Sequence, residues 1–328
     1  MKAIVYHRYG SADVLQLEEI KKPVPKDNEV LIKVRAAGLN PLDWRMMGGL
    51  PFLVRKLMKM KTPSPAQPVG IGRDVAGVVE AIGKEVTQFK VGDEVFGTCE
   101  AAVAEYACAK ESGVVAKPEA LTFEQAASIP IAGLTALQAV RGKGKVQPGQ
   151  KVLINGASGG VGTFAVQVAK SFGAEVTGVC SGANVEMVHS IGADKVLDYT
   201  QEDFTKGAER YDVIIQCAGT TSFSDCHRVL KTEGRYVIVG GGHDDISMIE
   251  IFASAVKTYA GSAVSKQKAI MFVAKSNQPD LAYLGEFIAT GKMTPVIERT
   301  YRLEETPEAV AHLKRGHARG KLVIDLAG

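Results

Sequence analysis

The sequence lacks several features that would place it outside the ordinary globular proteins. No uninterrupted apolar segment reaches the roughly 18 residues that a membrane-spanning helix needs. Met1–Tyr6 runs directly into a strand pattern without the hydrophobic region of a signal peptide. The five cysteines are odd in number, scattered and without a C-x-x-C pair, which argues against a disulfide framework or a zinc knuckle. These absences favour a cytoplasmic protein in a reducing compartment.

The sequence also has little net charge, which bears on whether it binds nucleic acid. A formal net charge of +3 over 328 residues is too small to indicate a nucleic-acid footprint. The chain is 46% hydrophobic and contains 35 glycines, which is typical of a turn-rich globular protein that buries substantial cores. Its length of 328 residues predicts two domains rather than one.

A glycine-rich turn between an apolar run and a helical pattern is the most informative motif. The run Lys151–Asn155 predicts a strand, and Thr163–Phe172 predicts a helix with alanine and valine on its buried side. Small residues here let the backbone approach a pyrophosphate, whose charge is met by the helix N-terminus. The predicted cofactor residues of this turn are Gly156, Ser158, Gly159, Gly160, Val161 and Gly162. The alternative is a tight strand-to-helix turn that binds no ligand.

The pattern of elements changes along the chain. The first third predicts β-branched or alternating strands: Lys2–Tyr6, Glu29–Ala36, Val75–Ile82, Glu94–Thr98 and Ala104–Ala109. Residues 123–140 have helical spacing, and helices are also predicted at Val185–Ser190, Phe223–Leu230 and Asp280–Thr290. Later strands are predicted at Lys151–Asn155, Glu175–Cys180, Lys195–Asp198, Asp212–Cys217, Arg235–Val239, Ala269–Ala274, Val296–Tyr301 and Leu322–Leu326.

The strand–helix alternation after residue 151 indicates a parallel sheet covered on both faces. The last two predicted strands have no βαβ partner, so we assign them to the first domain. The predicted fold is therefore α/β, with a doubly wound parallel sheet inserted in a β-barrel domain. Its predicted boundaries are residues 1–122 and 277–328 for the barrel domain, and 123–276 for the cofactor domain. A second glycine run, Gly70–Gly77, leads into a strand rather than a helix and predicts a structural turn.

The residues that follow the second parallel strand indicate whether the cofactor is NADH or NADPH. An NAD site usually has an acid there, which accepts hydrogen bonds from the ribose hydroxyls. Residues 180–184 contain no acid, which favours NADPH, and Ser181 and Tyr199 are candidate donors to its 2′-phosphate. No Arg or Lys follows at once to support this preference. Tyr199 is equally compatible with a half-buried tyrosine at a strand end.

The fourth and fifth strands of the sheet also end in small residues. Ligands of open parallel sheets lie outside these carboxyl ends, so Cys217, Val239 and Gly240 are predicted to face the ribose and nicotinamide. The alternative for Gly240 is a plain turn glycine. For Cys217, an inert buried thiol is favoured over a reactive one.

With these motifs, the chain resembles the medium-chain dehydrogenase/reductase superfamily. Within it, the chain is similar to the zinc-independent quinone oxidoreductases of the chloroplast-envelope type, which reduce enones. The resemblance covers essentially the whole sequence. It rests on Ala37–Trp44, Arg73–Gly77, Ala132–Ala136, Gly156–Gly162, Ile191–Asp194 and Gly320–Val323.

The resemblance implies a GroES-like barrel domain and a Rossmann domain with the active site between them. Zinc-dependent members hold the metal with Cys, His and Cys. Those positions correspond here to Asn40, Arg73 and approximately Ile131, none of which is a normal zinc ligand. The expected chemistry is therefore zinc-independent transfer of hydride from NADPH to a quinone or an α,β-unsaturated carbonyl.

The same resemblance assigns the remaining site residues. Asn40 is the candidate polar group facing the substrate, or alternatively a turn cap. Asp43, in the same motif, is a candidate catalytic residue as a supporting partner of Arg73, or alternatively forms a plain salt bridge with it. The predicted substrate-pocket residues are Trp44, Phe52 and Arg73, and the further cofactor contacts are Thr135, Asn184 and Lys321. The alternative for Trp44 is that it only packs beside the pocket. No general acid is evident, so solvent is expected to protonate the product.

Three points stay open at the level of sequence. The apolar and basic segment at residues 51–61 predicts a lid over an apolar substrate or a solvated surface helix, with a membrane-surface contact as a third alternative. A homodimer through the sheet edge near residues 269–274 is an expectation from such relatives. An alcohol dehydrogenase-type carbonyl reductase and a non-enzymatic NADPH-binding protein are the alternative functions, because cofactor binding alone looks the same in each.

Overall fold

The computed structural model describes residues 1–49, 55–56, 61–219, 221–239, 265–316 and 318–327. The chain divides into two compact units. The first comprises Met1–Ala132, Ser276–Gly291 and Ile297–Gly328, and the second comprises Gly133–Lys275 and Lys292–Val296. This division keeps residues 123–132 with the first unit, whereas the predicted boundary lies at residue 123. None of the helices that the structure describes is long and apolar enough to cross a bilayer.

The strands in chain order are β1 (Lys2–Tyr6), β2 (Gln16–Glu19), β3 (Glu29–Leu39), β4 (Val69–Gly70), β5 (Asp74–Ile82), β6 (Glu94–Thr98), β7 (Tyr106–Lys110), β8 (Val114–Ala116), β9 (Lys151–Asn155), β10 (Glu175–Cys180), β11 (Lys195–Asp198), β12 (Tyr211–Gln216), β13 (Leu230–Ile238), β14 (Lys268–Met271), β15 (Ile297–Arg302) and β16 (Lys321–Asp325). The α-helices are α1 (Pro41–Met47), α2 (Phe123–Ser128), α3 (Pro130–Leu137), α4 (Gly160–Ser171), α5 (Val185–Ser190), α6 (Phe223–Cys226), α7 (Gln278–Ala289) and α8 (Thr306–Lys314). A π-helical segment spans Gln138–Gly144, and short 3₁₀ segments lie at Ala12–Val14, Glu111–Gly113, Gly182–Asn184, Phe204–Lys206 and Leu303–Glu305.

The first unit is built on a seven-stranded, mainly antiparallel sheet. Its strand order is β15-β16-β3-β5-β6-β8, and β7 also pairs with β3. A separate three-stranded sheet has the order β2-β1-β4. In the long strand β3, residues 32–36 alternate apolar and charged side chains, and Val30, Ile32 and Val34 are almost completely buried in the core. Alternation with a period of two residues therefore places one face of this strand in the core of the unit.

The second unit contains a six-stranded parallel sheet with the order β11-β10-β9-β12-β13-β14. Its central strands are apolar on both faces: Val213, Ile214 and Ile215 of β12 are each at most 1% exposed. Continuous apolar runs of this kind are expected where helices cover both sides of a parallel sheet. The strand order reverses direction between β9 and β12, and open α/β sheets bind ligands at such a reversal.

Much of the predicted architecture is confirmed. The doubly wound parallel sheet is present, and the predicted bounds of β1, β6, β9, β10 and β11 match the structure. The late strand β16 pairs antiparallel with β3, so the C-terminal strands do return to the first unit. The glycine run at residues 70–77 leads into β5, as predicted for a structural turn.

Two predicted helices are wrong in extent. The helical pattern over residues 123–140 is divided, because Pro130 lacks the N–H group that would continue the helix begun at Phe123. The predicted helix Phe223–Leu230 ends at Cys226. The carbonyl group of Val229 accepts a hydrogen bond from Tyr211 N–H (2.8 Å), which draws this segment into the sheet as the start of β13.

Candidate active site and cofactor loop

The glycine-rich loop of the second unit joins β9 to α4. Gly156 has a φ of +82°, a left-handed conformation that favours glycine. A Cβ atom at Gly162 would lie 2.0 Å from the carbonyl oxygen of Gly156, so only glycine allows this packing. Gly159 is the N-cap of the 12-residue helix α4 and brings no side-chain acceptor to its first turn. The loop therefore presents backbone amides and the positive end of a helix dipole, which suits a pyrophosphate.

Three of the predicted cofactor residues lie together where β10 and β11 end. Ser181 Oγ accepts a hydrogen bond from Asn184 Nδ2 (3.1 Å), and Asn184 begins α5. Tyr199 is 56% exposed, and its N–H group donates to the carbonyl oxygen of Cys180 (3.1 Å). Tyr199 is thus an exposed residue rather than the half-buried tyrosine of the alternative. These side chains supply neutral donors at the edge of the sheet.

An acid that the sequence analysis missed lies at this same edge. Asp198 ends β11 directly beside Cys180, which ends β10. The prediction considered only residues 180–184, which contain no acid, and did not take the end of the neighbouring strand into account. The signal for finding Asp198 was available, since parallel neighbouring strands end at the same edge of a sheet.

Cys217 and Val239 follow β12 and β13. Cys217 N–H donates to the carbonyl oxygen of Asn155 (2.9 Å), and Val239 N–H donates to that of Gln216 (3.1 Å). Burial raises the pKa of the Cys217 thiol to about 12, consistent with an inert thiol at neutral pH. Gly240 lies outside the described residues.

A polar pair beneath the glycine loop was also missed. Asn155 Nδ2 donates to Gln216 Oε1 (3.0 Å), and Gln216 Nε2 donates to the carbonyl oxygen of Ala218 (2.7 Å). Both side chains are less than 10% exposed and stand at the ends of otherwise apolar strands. This pair fixes the Cys217–Gly219 turn next to the glycine loop.

Thr135, the remaining predicted cofactor residue of this unit, is 7% exposed in α3.

In the first unit, a buried ion pair lies at the start of α1. Lys321 Nζ donates to Asp74 Oδ2 (3.2 Å), Asn40 Oδ1 (2.7 Å) and the carbonyl oxygen of Leu39 (2.8 Å). The Lys321 side chain is 3% exposed and that of Asp74 is 0% exposed. The assignment of Lys321 to the cofactor is therefore wrong, because its three ammonium protons already have buried acceptors.

Asn40 joins the same cluster. Its Nδ2 donates to Asp74 Oδ2 (2.8 Å), and the residue is 3% exposed. Both ends of its carboxamide are thus engaged, which leaves little capacity for a substrate oxygen. Asn40 is also the N-cap of α1, where its backbone N–H donates to Asp43 Oδ2 (2.7 Å). The alternative of a capping position is confirmed, although the carboxamide itself points to Asp74 and Lys321.

Asp43 lines a cavity of about 180 Å³ together with Tyr6, Met46 and Arg73. Burial raises the pKa of the Asp43 carboxyl group to about 7, opposed by the hydrogen bond from Asn40. Within the described part of the chain, no ion pair joins Asp43 to Arg73, so the predicted salt bridge is wrong. Burial, together with the neighbouring Tyr9 and Asp43, raises the pKa of Tyr6 to about 12, so its phenol is protonated at neutral pH.

Of the other two predicted pocket residues, the structure describes only Trp44, which does not line this cavity. Trp44 packs half-buried against the core of the first unit, with Arg45 and Lys314 lying 5.1 and 5.9 Å from its ring. The cavity lining includes Met46 and Asp43 of α1 but not Trp44. Phe52 and most of the predicted lid lie outside the described residues.

The positions matched to zinc ligands do not fit a zinc ion. The Asn40 carboxamide is held by Asp74 and Lys321, Arg73 carries a positive charge, and Ile131 offers only a backbone N–H, which donates to Asp74 Oδ1 (3.0 Å). Zinc sites use thiolate, imidazole or carboxylate groups. Among the residues that the structure describes, no three His, Cys, Asp or Glu side chains are grouped as a metal site would require.

Comparison with known proteins agrees with this geometry. The sequence profile of the alcohol dehydrogenase GroES-like domain matches residues 26–119, and that of the zinc-binding dehydrogenase matches residues 191–324. The chain is 34% identical to the chloroplast envelope quinone oxidoreductase homolog of Arabidopsis thaliana, over 99% of this chain and 98% of that protein. It is also 34% identical to 2-methylene-furan-3-one reductase of Solanum lycopersicum, over 99% of this chain and 79% of that protein.

The structure of the quinone oxidoreductase from Coxiella burnetii superposes with a TM-score of 0.86 at 33% identity, covering 99% of both chains. A glycine loop on a parallel sheet, joined to a GroES-like domain, defines a nicotinamide-dependent oxidoreductase. The chain belongs to the quinone oxidoreductase family of the medium-chain dehydrogenases/reductases.

Proposed function

We propose that this protein is a zinc-independent, NADPH-dependent reductase of quinones or α,β-unsaturated carbonyl compounds. The glycine loop is the observation that carries the proposal, because its close packing and uncapped helix start suit a dinucleotide pyrophosphate. Two relatives are named for reduction of a quinone and of a methylene-furanone, which carries a double bond conjugated to a carbonyl group. Bound NADPH supplies a hydride from its nicotinamide ring.

Different residues of the second unit are assigned to different parts of the cofactor. The glycine loop holds the pyrophosphate through backbone N–H groups. Ser181, Asn184 and Tyr199 lie toward the adenosine end, and their neutral donors support binding of a 2′-phosphate. Cys217 and Val239 lie toward the nicotinamide end, Gly240 stays a contact expected there from the sequence alone, and Thr135 is retained as a further contact.

The substrate site is proposed at the cavity of the first unit. The Arg73 guanidinium and the protonated Tyr6 phenol line it with Asp43 and the apolar Met46. Positive charge and hydrogen-bond donors near a carbonyl oxygen stabilise the enolate or hydroquinone anion that forms as hydride arrives. This delocalised charge needs less support than an alkoxide does, which is consistent with the absence of zinc-ligand chemistry at residues 40, 73 and 131.

Asp43 is proposed as the proton donor, in place of the expected solvent. A carboxyl group whose pKa lies at about 7 is partly protonated at neutral pH and regains its proton readily. The backbone N–H of Asn40 holds the carboxyl group at the first turn of α1. Asn40 acts here as a positioning residue, because its carboxamide fixes the start of that helix against Asp74 and Lys321.

Turnover with a panel of substrates tests the proposal. We expect oxidation of NADPH in the presence of quinones, alkenals or alkenones, with no loss after exhaustive chelation of metal ions. Oxidation of alcohols that depends on added zinc would favour an alcohol dehydrogenase instead. Tight NADPH binding without turnover of any acceptor would favour a non-enzymatic role.

Location and assembly stay predictions. The cytoplasm is proposed on the scattered, unpaired cysteines, although the Arabidopsis thaliana relative is named for the chloroplast envelope. The homodimer is proposed at β14, the strand at one edge of the parallel sheet. Gel filtration with light scattering measures the assembly directly.

A further inference from the structure

The acid missed by sequence analysis occupies a defined position at the adenosine end of the proposed cofactor site. Asp198 and Cys180 are register partners at the ends of the parallel strands β11 and β10. A Cβ atom built on Gly182 would lie 2.7 Å from Asp198 Oδ2 and 3.5 Å from its Cγ. The carboxylate therefore leans from the third strand of the fold over the backbone that follows the second strand.

The orientation of the Asp198 carboxylate is fixed by hydrogen bonds to one of its two oxygens. Thr200 N–H and Thr200 Oγ1 both donate to Asp198 Oδ1, at 2.9 and 2.8 Å. No hydrogen bond to Oδ2 and no ion pair to either oxygen is found among the described residues. Asp198 is partly buried, and its Oδ2 lies next to Gly182.

We infer that Asp198 is a specificity-determining residue of the cofactor site. It supplies from the third strand the acceptor that usually closes the second strand, and so binds a ribose hydroxyl of NADH. The same charge repels the 2′-phosphate of NADPH. This inference rests on the proposed function and sharpens it, since the neutral donors Ser181 and Tyr199 then favour NADPH only weakly, and NADH is also bound.

The negative charge of Asp198 affects the pKa of a neighbouring thiol. Burial chiefly, and then the negative charge of Asp198, raises the pKa of the Cys180 thiol to about 11. The other polar side chains at this edge, Ser181, Asn184 and Tyr199, are uncharged at neutral pH and do not neutralise the carboxylate. A like charge beside a bound 2′-phosphate, partly screened by solvent, would weaken NADPH binding by about tenfold.

Binding titrations of NADPH and NADH, followed by nicotinamide fluorescence or calorimetry, test the inference. The Asp198→Asn variant keeps an acceptor for Thr200 but loses the charge. We expect it to bind NADPH about tenfold more tightly than the wild type does, and NADH no more tightly, so that the ratio of the two Kd values shifts about tenfold toward NADPH. Glu202→Gln is the matched control, because it removes an exposed negative charge four residues further on and should leave the ratio unchanged.

The outcomes separate the two proposals. If both nucleotides bind but Asp198→Asn leaves the Kd ratio as it is, or lowers NADPH affinity, the role of Asp198 is contradicted while the proposed function stands. If neither nucleotide binds to the wild type or to the variants, both proposals are contradicted. Asp198→Ser provides a second charge-free variant, and circular dichroism establishes that each variant is folded.

Discussion

The buried cluster at the start of α1 allows a stringent test by substitution of Lys321 with methionine. Lys321→Met keeps much of the side-chain volume but removes the charge that faces Asp74. Asp74 then remains fully buried, with only Asn40 Nδ2 and Ile131 N–H as donors. The oxygens of Asn40 and Leu39 also lose the ammonium group.

The expected cost follows from the burial of both partners. Removing one member of a buried pair leaves an uncompensated charge and typically costs about 3–5 kcal/mol. For a unit of this size, that loss lowers Tm by roughly 6–20 °C. Differential scanning calorimetry and urea unfolding measure it.

The pH dependence of this loss has a defined sign. Burial raises the pKa of Asp74, opposed chiefly by Lys321, and losing Lys321 raises it further. The folded state then keeps a proton that the unfolded state releases near pH 4, so stability falls as pH rises above that value. The destabilisation by Lys321→Met should therefore be larger at pH 8 than at pH 5.

A double variant provides the control. Asp74→Asn combined with Lys321→Met removes both charges, so we expect it to be more stable than Lys321→Met alone at pH 8. The reasoning is refuted if Lys321→Met costs less than about 1 kcal/mol, or if the double variant is no more stable than the single one. Loss of NADPH affinity without loss of stability would restore Lys321 to the cofactor site.

Two further substitutions test the proposed site. Gly162→Ala should weaken NADPH binding at least about tenfold, because its Cβ would collide with the Gly156 carbonyl oxygen. The control variant Gly142→Ala, whose Cβ would meet nothing within 4 Å, should bind NADPH normally. Equal affinities of the two variants in titrations would exclude the loop as the NADPH site. In the wild type, kcat/KM for an enone should fall as pH rises through about 7, where Asp43 loses its proton. Asp43→Asn should remove this inflection and lower kcat by about 10²–10⁴-fold; an unchanged pH–rate profile would contradict proton donation by Asp43. Asp43→Asn should also remove a loss of stability between about pH 4 and 7, since the raised pKa makes ionisation of the folded protein costly.

The parallel sheet was predictable because its signals are local. Apolar runs such as Lys151–Asn155 end in glycines and are followed by helical spacing, so strand, turn and helix can each be recognised without long-range information. The same locality accounts for the errors. The segment after Cys226 has a helical pattern, but it joins the sheet at Leu230. The N–H group of Tyr211 donates a hydrogen bond to the carbonyl oxygen of Val229, 18 residues later in the sequence.

The site was predictable only where the chemistry lies within one motif. The glycine loop is contiguous, whereas the partners of Lys321 are 247 and 281 residues away in sequence, at Asp74 and Asn40. A lysine in a short motif gives no indication that its charge is buried against another strand. Asp198 was missed for a related reason, since its position beside Cys180 depends on strand pairing.

The central claim is that hydride passes from the nicotinamide to a carbon–carbon double bond conjugated to a carbonyl group. Incubation of the protein with an α,β-unsaturated ketone and NADPH deuterated at C4, on each face in turn, tests it by mass spectrometry and NMR of the product. We expect, from one of the two labelled faces, a saturated ketone with one deuterium at the β-carbon and the carbonyl group intact. Deuterium on a newly formed alcohol carbon, or no deuterated product from either face, would contradict the account.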